Sequence, residues 1–231
     1  MEFLVLLIIV IVGYLILRLV FDVNVKKIKE IGENKELDEL TKKYPENIEI
    51  CKHYLRKLNN ENVKIEEDKN SNATLYLVMS NKIFIANLKD SYTRIQTIAH
   101  ECLHSVQSKK LLWFNFIFSN IYLVYFFLIC FLSIFKILPY KMMFLFILTV
   151  LGFIFYSVRT YLENDAMIKA RFLAKDYMEQ EGISSQEEID EIIKKYDELN
   201  DIGIKYTNFQ LLSSVLLKIV IFIGISFFTG L

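Results

Sequence analysis

Four long apolar segments constrain the fold of this 231-residue chain more than any other feature. They lie at residues 3–21, 111–135, 139–158 and 207–228. Each is close to the length of about 20 apolar residues that a helix needs to cross a bilayer, although Lys218 interrupts the last one. We therefore predict a mainly α, multi-span helical membrane protein. Its apolar parts are a transmembrane anchor at 1–21, a helical hairpin at 111–158 and a final transmembrane helix at 207–231.

Two charged segments, at residues 22–110 and 159–206, separate these apolar parts. The first carries 16 Lys and Arg between Lys26 and Lys110, whereas the short loop inside the hairpin carries only Lys136 and Lys141. Positive-inside counting predicts a multi-pass protein of the cell membrane, with both charged segments in the cytoplasm and the amino terminus outside. The formal net charge of zero predicts no nucleic-acid partner.

The first charged segment combines helical and strand patterns. Residues 22–60 have helical spacing of apolar residues, which predicts two helices broken near Pro45. A short strand is expected at 63–67, and a hairpin from residues 75–79 and 83–86. A helix then runs to about Ser108. This order predicts a small α+β, zincin-like catalytic domain at the membrane surface, with a short hairpin beside a motif helix.

The second charged segment is predicted to be helical. The third apolar segment continues as a helix until "GISS" at residues 182–185 breaks it. A short amphipathic helix is expected at 186–199, separate from the last span.

The stretch "TIAHECLHSVQS", residues 97–108, contains two of the three histidines of the chain. His100 and His104 are four residues apart and share a helix face, so both imidazoles can reach one ion. Glu101 can reach a ligand of that ion. His-Glu-x-x-His is typical of zinc peptidases, in which the Glu is the general base.

A catalytic zinc needs a third protein ligand and an open position. Glu163 is the natural candidate, because the predicted hairpin of spans returns the chain to the membrane face that it left. Glu163 also heads a stripe of small residues, Ala166, Ala170 and Ala174, along which another helix can approach closely. Gln107 lies on the His face, and both Gln107 and Asp165 are expected to orient ligands rather than bind the ion.

The expected reaction is peptide hydrolysis with one Zn²⁺ per chain, acting on peptides or membrane proteins. An oxyanion donor is also needed, and the sequence leaves Tyr161, His53, Tyr92 and Arg171 open. The alternative function is a catalytically inactive pseudopeptidase that serves as a membrane scaffold or assembly factor.

The order "IAHECLHSVQ", two spans and "LENDAMIKARFLA" resembles the YugP-type neutral zinc metallopeptidases of bacterial membranes. That family carries a His-Glu-x-Gly-His-x-x-Gln core and a later Glu-Phe-Asp-Ala segment. The resemblance covers most of the chain and implies His100, His104 and Glu163 as zinc ligands, Glu101 as the catalytic base and Asp165 near the site.

Three positions depart from the family pattern. Leu103 stands where the family has Gly, Cys102 where it has an aliphatic residue and Asn164 where it has Phe. Residues 74–78 stand where the family has Asp-His-Tyr-Asp-Pro.

Overall fold

The computed structural model describes residues 2–22, 25–68, 71, 73–88 and 91–230, without the side chains of residues 2, 3, 25, 28 and 29. This part of the chain is mainly helical and contains one small sheet, as predicted. Its elements are α1 (Glu2–Val20), α2 (Val25–Gly32), α3 (Lys35–Lys42), α4 (Asn47–Lys57), β1 (Lys64–Asp68), β2 (Leu75–Leu77), β3 (Lys82–Ala86), α5 (Arg94–Val106), α6 (Lys109–Ile134), α7 (Lys141–Glu181) and α8 (Gln186–Phe228).

Three of the described helices, α6, α7 and α8, are long and apolar enough to cross a membrane. They contain the second, third and fourth apolar segments of the sequence. The apolar helix Leu4–Val20 within α1 is shorter. The amino-terminal anchor at 1–21 therefore stays a prediction.

The chain divides into two compact units. Unit 1 comprises Met1–Val23, Trp113–Tyr161 and Lys205–Leu231, and unit 2 comprises Asn24–Leu112 and Leu162–Ile204. Unit 1 thus collects the apolar segments, whereas unit 2 collects the charged ones. Helices α7 and α8 each contribute residues to both units.

Unit 2 contains a three-stranded sheet in the order β1-β3-β2. The predicted hairpin is present as the antiparallel pair β2–β3, and β1 pairs with β3 in parallel. The central strand buries Ile83 and Ile85 completely in a core that also contains α4 and α5 residues. Strand β2 is an edge strand, so one side of its backbone is not paired within the sheet.

Two helix predictions were wrong. Residues 25–57 form three helices rather than two, because Asn34 begins α3 by accepting hydrogen bonds from the backbone N–H groups of Glu36 (3.1 Å) and Leu37 (3.2 Å). The short helix expected at 186–199 is instead the first part of α8, which continues without a break to Phe228.

Packing in unit 2 explains the continuity of α8. Asn200 donates a hydrogen bond to the Met167 carbonyl of α7 and accepts one from Gln96 of α5. A Cβ at Gly203 would lie 3.0 Å from the Met167 Cε, so glycine permits the close approach of these helices. The polar composition around residue 200 therefore serves helix packing and does not end the helix.

Candidate metal centre

Helix α5 presents its two histidines from a buried framework. The core of unit 2 completely buries three residues of this helix, Ile95, Ile98 and Ala99. Their close packing fixes the rotation of α5 about its own axis. The Nε2 atoms of His100 and His104 lie 3.0 Å apart on the other face. Cys102 and Leu103 belong to the same core, which gives a packing reason for apolar side chains at these two positions.

Helix α7 brings Glu163 to the two histidines, as predicted. Its small-residue stripe, Ala166, Ala170 and Ala174, is fully buried in the core that contains α5 residues. The Glu163 Oε2 lies 3.4 Å from the His100 Nε2 and 3.6 Å from the His104 Nε2. These three residues form a group whose ligand atoms all lie close enough to share a metal ion.

The distances among the three ligand atoms fit a tetrahedral zinc site. Zinc bonds of about 2.0–2.2 Å place neighbouring ligand atoms of a tetrahedron about 3.3–3.6 Å apart. Two of the observed separations, 3.4 and 3.6 Å, lie within this range, and the third, 3.0 Å, is slightly shorter. The circle through the three atoms has a radius of about 1.9 Å, which is no longer than a zinc–ligand bond. One ion can therefore contact all three atoms at bonding distance.

Glu101 lies beside this group rather than within it. Its Oε1 is 3.9 Å from the His100 Nε2, which is longer than the separations among the three candidate ligands. Its Oε2 accepts a 2.7 Å hydrogen bond from the backbone N–H of Tyr76 on the edge strand β2. One carboxylate oxygen is thus anchored, which directs the other towards the ligand group. Burial raises the pKa of Glu101, although both histidines and the Tyr76 N–H oppose that rise.

Gln107 fixes the orientation and tautomer of His104. Its Nε2 donates to the Leu162 carbonyl (2.8 Å) and to the Asp165 Oδ2 (3.1 Å), so its Oε1 must face the His104 Nδ1 at 2.9 Å. An amide oxygen can only accept, so Nδ1 carries the proton and Nε2 presents its lone pair to the ligand group. The predicted orienting roles of Gln107 and Asp165 fit this geometry.

The carboxylates around His104 dominate its electrostatics. Burial lowers the pKa of His104, but Glu163 and Glu101 outweigh burial and leave that pKa raised. Burial also raises the pKa of Asp165, but hydrogen bonds from Lys169 and Gln107 leave it lowered, so Asp165 stays ionised as an acceptor. The site therefore concentrates negative charge around its histidines, which favours a bound cation.

His53 does not reach the candidate centre. Its ring packs edge-on against Tyr177, with centroids 4.8 Å apart, and its Nδ1 lies 3.7 Å from Glu181. Tyr177 is about 20 Å along α7 from Glu163, so the structure does not bring His53, a predicted oxyanion candidate, to the three candidate ligands.

The other three oxyanion candidates differ in their surroundings. Tyr92 is fully buried and donates its hydroxyl to the Ile31 carbonyl, so it is structural. Arg171 is paired with Asp197 about 12 Å along α7 from Glu163. Tyr161 is 62% exposed, and its role stays a prediction.

Two backbone groups that take part in the site could not be predicted from the sequence. They are the Tyr76 N–H, which holds Glu101, and the Leu162 carbonyl, which holds Gln107. Every residue except proline carries both groups, so only the tertiary fold identifies the ones that matter.

Comparisons with protein-family models, with curated proteins and with solved structures found no match for this chain. The candidate centre therefore rests on its own geometry.

Proposed function

We propose that this chain is a membrane-embedded zinc metallopeptidase that hydrolyses peptide bonds in a small, zincin-like catalytic domain. The proposal rests above all on one observation: two histidine nitrogens and the Glu163 carboxylate converge at 3.0–3.6 Å, with the buried Glu101 carboxylate beside them. The layout of the chain supports membership of the YugP-type family, which is part of the same proposal.

His100, His104 and Glu163 would hold one Zn²⁺. Zinc with three protein ligands acts as a Lewis acid and acidifies water at its open position. Glu101 would accept a proton from the attacking water and return it to the leaving amine. The hydrogen bond from Tyr76 supports this role, because it limits rotation of the carboxylate and leaves one oxygen free to take the proton.

The substrate would be an extended peptide segment held along the outer edge of β2. The outward Tyr76 N–H is already bonded to Glu101, so a substrate strand would pair with the remaining outward groups of this strand. Because both charged segments are predicted to face the cytoplasm, the substrates would be cytosolic chains or membrane proteins presented at that surface.

The test combines metal analysis with proteolysis by the purified full-length protein. We expect about one zinc per chain in the wild type, with loss of zinc in His104→Ala, which removes a ligand. Glu101→Gln should keep the zinc, because Glu101 is not a ligand, and lose proteolysis. Glu187→Gln, which changes an exposed glutamate at the start of α8, is the matched control and should keep both properties.

The outcomes separate the candidate functions. Undiminished cleavage by Glu101→Gln would contradict the proposed mechanism. A wild-type protein that binds no zinc and cleaves no peptide would instead favour the inactive scaffold.

A further inference from the structure

Lys218 lies in the middle of the apolar end of α8. The nearest charged residue before it in this helix is Lys205, about 20 Å away along the axis, and the helix ends at Phe228, about 15 Å in the other direction. A lysine stem reaches about 6 Å, so snorkelling cannot bring this ammonium to either end of the segment. If α8 crosses a membrane, Lys218 therefore places a cation at mid-depth.

The neighbours of Lys218 among the described residues of unit 1 are all neutral. Its Nζ donates to the Ser214 hydroxyl (2.9 Å) and carbonyl (3.2 Å), and it lies 5.4 Å from the ring centroid of Tyr122. These contacts engage two of the three N–H donors and add a cation–π attraction. They leave the positive charge without a counter-ion.

The chain has no carboxylate that could serve as that counter-ion at this depth. The sequence has no Asp or Glu at residues 3–21, 109–162 or 202–231, which include all of its apolar segments. Lipid phosphates stay at the interface. Ionisable groups inside a membrane are costly and usually pair with a group of opposite charge. A counter-ion for Lys218 would therefore come from another molecule that itself reaches mid-depth.

A row of polar side chains along α8 leads to Lys218. Tyr206, Gln210, Ser214 and Lys218 follow at four-residue intervals, which places neighbours on one side of the helix. Gln210 is exposed and donates to the Tyr206 hydroxyl at 2.8 Å, while Ser214 and Lys218 are partly exposed. Apolar residues Leu217 (59% exposed) and Ile221 (40%) border the row. This row is thus an accessible surface of unit 1.

We propose that this face of α8 binds a transmembrane helix of another membrane protein that carries Asp or Glu at the level of Lys218. Polar side chains such as Gln and Ser are typical of helix–helix contacts within membranes, and the carboxylate would complement the isolated ammonium. A second copy of this chain does not fit, because its apolar segments also lack carboxylates and it would bring a second Lys218.

The experiment measures association in lipid bilayers. Labelled full-length protein is reconstituted in phosphatidylcholine vesicles with leucine-rich transmembrane peptides that carry Glu, Gln or Leu at the central position, and energy transfer reports binding. A contact of this kind inside a membrane stabilises association by about 0.6–2 kcal/mol, which corresponds to about 3- to 30-fold. We expect the Glu peptide to bind more tightly than the Leu peptide by a factor in this range.

Two variants of α8 test whether Lys218 is responsible. Lys218→Met should abolish the preference for Glu, whereas Lys205→Met, a matched loss of charge near the end of the apolar segment, should keep it. Circular dichroism and thermal unfolding in detergent serve to show that both variants are folded.

Three results would overturn the proposal. They are equal binding of the Glu and Leu peptides, an unchanged preference in Lys218→Met, and loss of the preference when phosphatidylglycerol replaces part of the phosphatidylcholine, since a lipid would then be the anion. The test does not use proteolysis, so its outcome is independent of the function proposed above.

Discussion

Replacing Gln107 with leucine tests whether the orientation of His104 matters for metal binding. The substitution keeps a side chain of similar size but removes the acceptor of the His104 Nδ1–H at 2.9 Å. It also removes the two donors that tie the end of α5 to Leu162 and Asp165 of α7. His104 would then no longer be held in the tautomer that offers Nε2 to the ion.

The expected effect is a loss of zinc affinity by about 10- to 100-fold, the usual consequence of removing a group that orients a metal ligand. This corresponds to about 1.4–2.7 kcal/mol. The substitution also removes three hydrogen bonds, which at about 1 kcal/mol each stabilise the folded protein by about 3 kcal/mol in total, so the stability of the variant is measured alongside its zinc affinity. The assay is a competition titration of zinc between the metal-free protein and a chromophoric chelator.

Two further variants sharpen this measurement. Gln180→Leu makes the same replacement at a glutamine on α7 whose side chain donates to Asp176, far from the candidate ligands, and it should leave zinc affinity unchanged. Asp165→Asn keeps an acceptor oxygen for Gln107 and should cost less than Gln107→Leu. Wild-type affinity in a folded Gln107→Leu protein would refute the assigned role of this side chain.

Two predictions concern stability, each measured by thermal unfolding in detergent. Arg94 is 1% exposed and donates four hydrogen bonds, three to buried acceptors and one to the half-buried Pro45 carbonyl, so Arg94→Met should destabilise unit 2 by about 3 kcal/mol or more, whereas Arg56→Met on the exposed side of α4 should be nearly neutral. A Cβ at Gly152 would lie 2.5 Å from the Val215 Cγ1, so Gly152→Ala should destabilise unit 1 by about 1–3 kcal/mol. Gly13→Ala, where a Cβ meets nothing within 4 Å, should not be destabilising, and equal melting of both alanine variants would contradict this packing argument.

Local patterns in the sequence determined most of the secondary structure. Long apolar runs predicted the apolar segments of α6, α7 and α8. This was possible because the length and the apolar composition that a membrane-spanning helix needs are local properties of the sequence. Alternating β-branched and aromatic residues predicted the β2–β3 hairpin. The spacing of His100 and His104 determined that both face one point, since helix periodicity is a local property.

The tertiary structure decided which residues and elements contact each other across the fold. It joined the helix at 186–199 to the last apolar segment, because Gly203 and Asn200 pack against α7 rather than ending α8. It removed His53 from the candidate site by packing it against Tyr177.

The pairing of Glu101 with the Tyr76 amide was likewise decided only by the fold. A contact between a side chain and a distant backbone group depends on how whole elements pack. The sequence alone determines which residues are able to bind a metal and which segments are able to enter a membrane. Packing determines the backbone groups that hold those residues in place, because these groups are chemically alike along the entire chain.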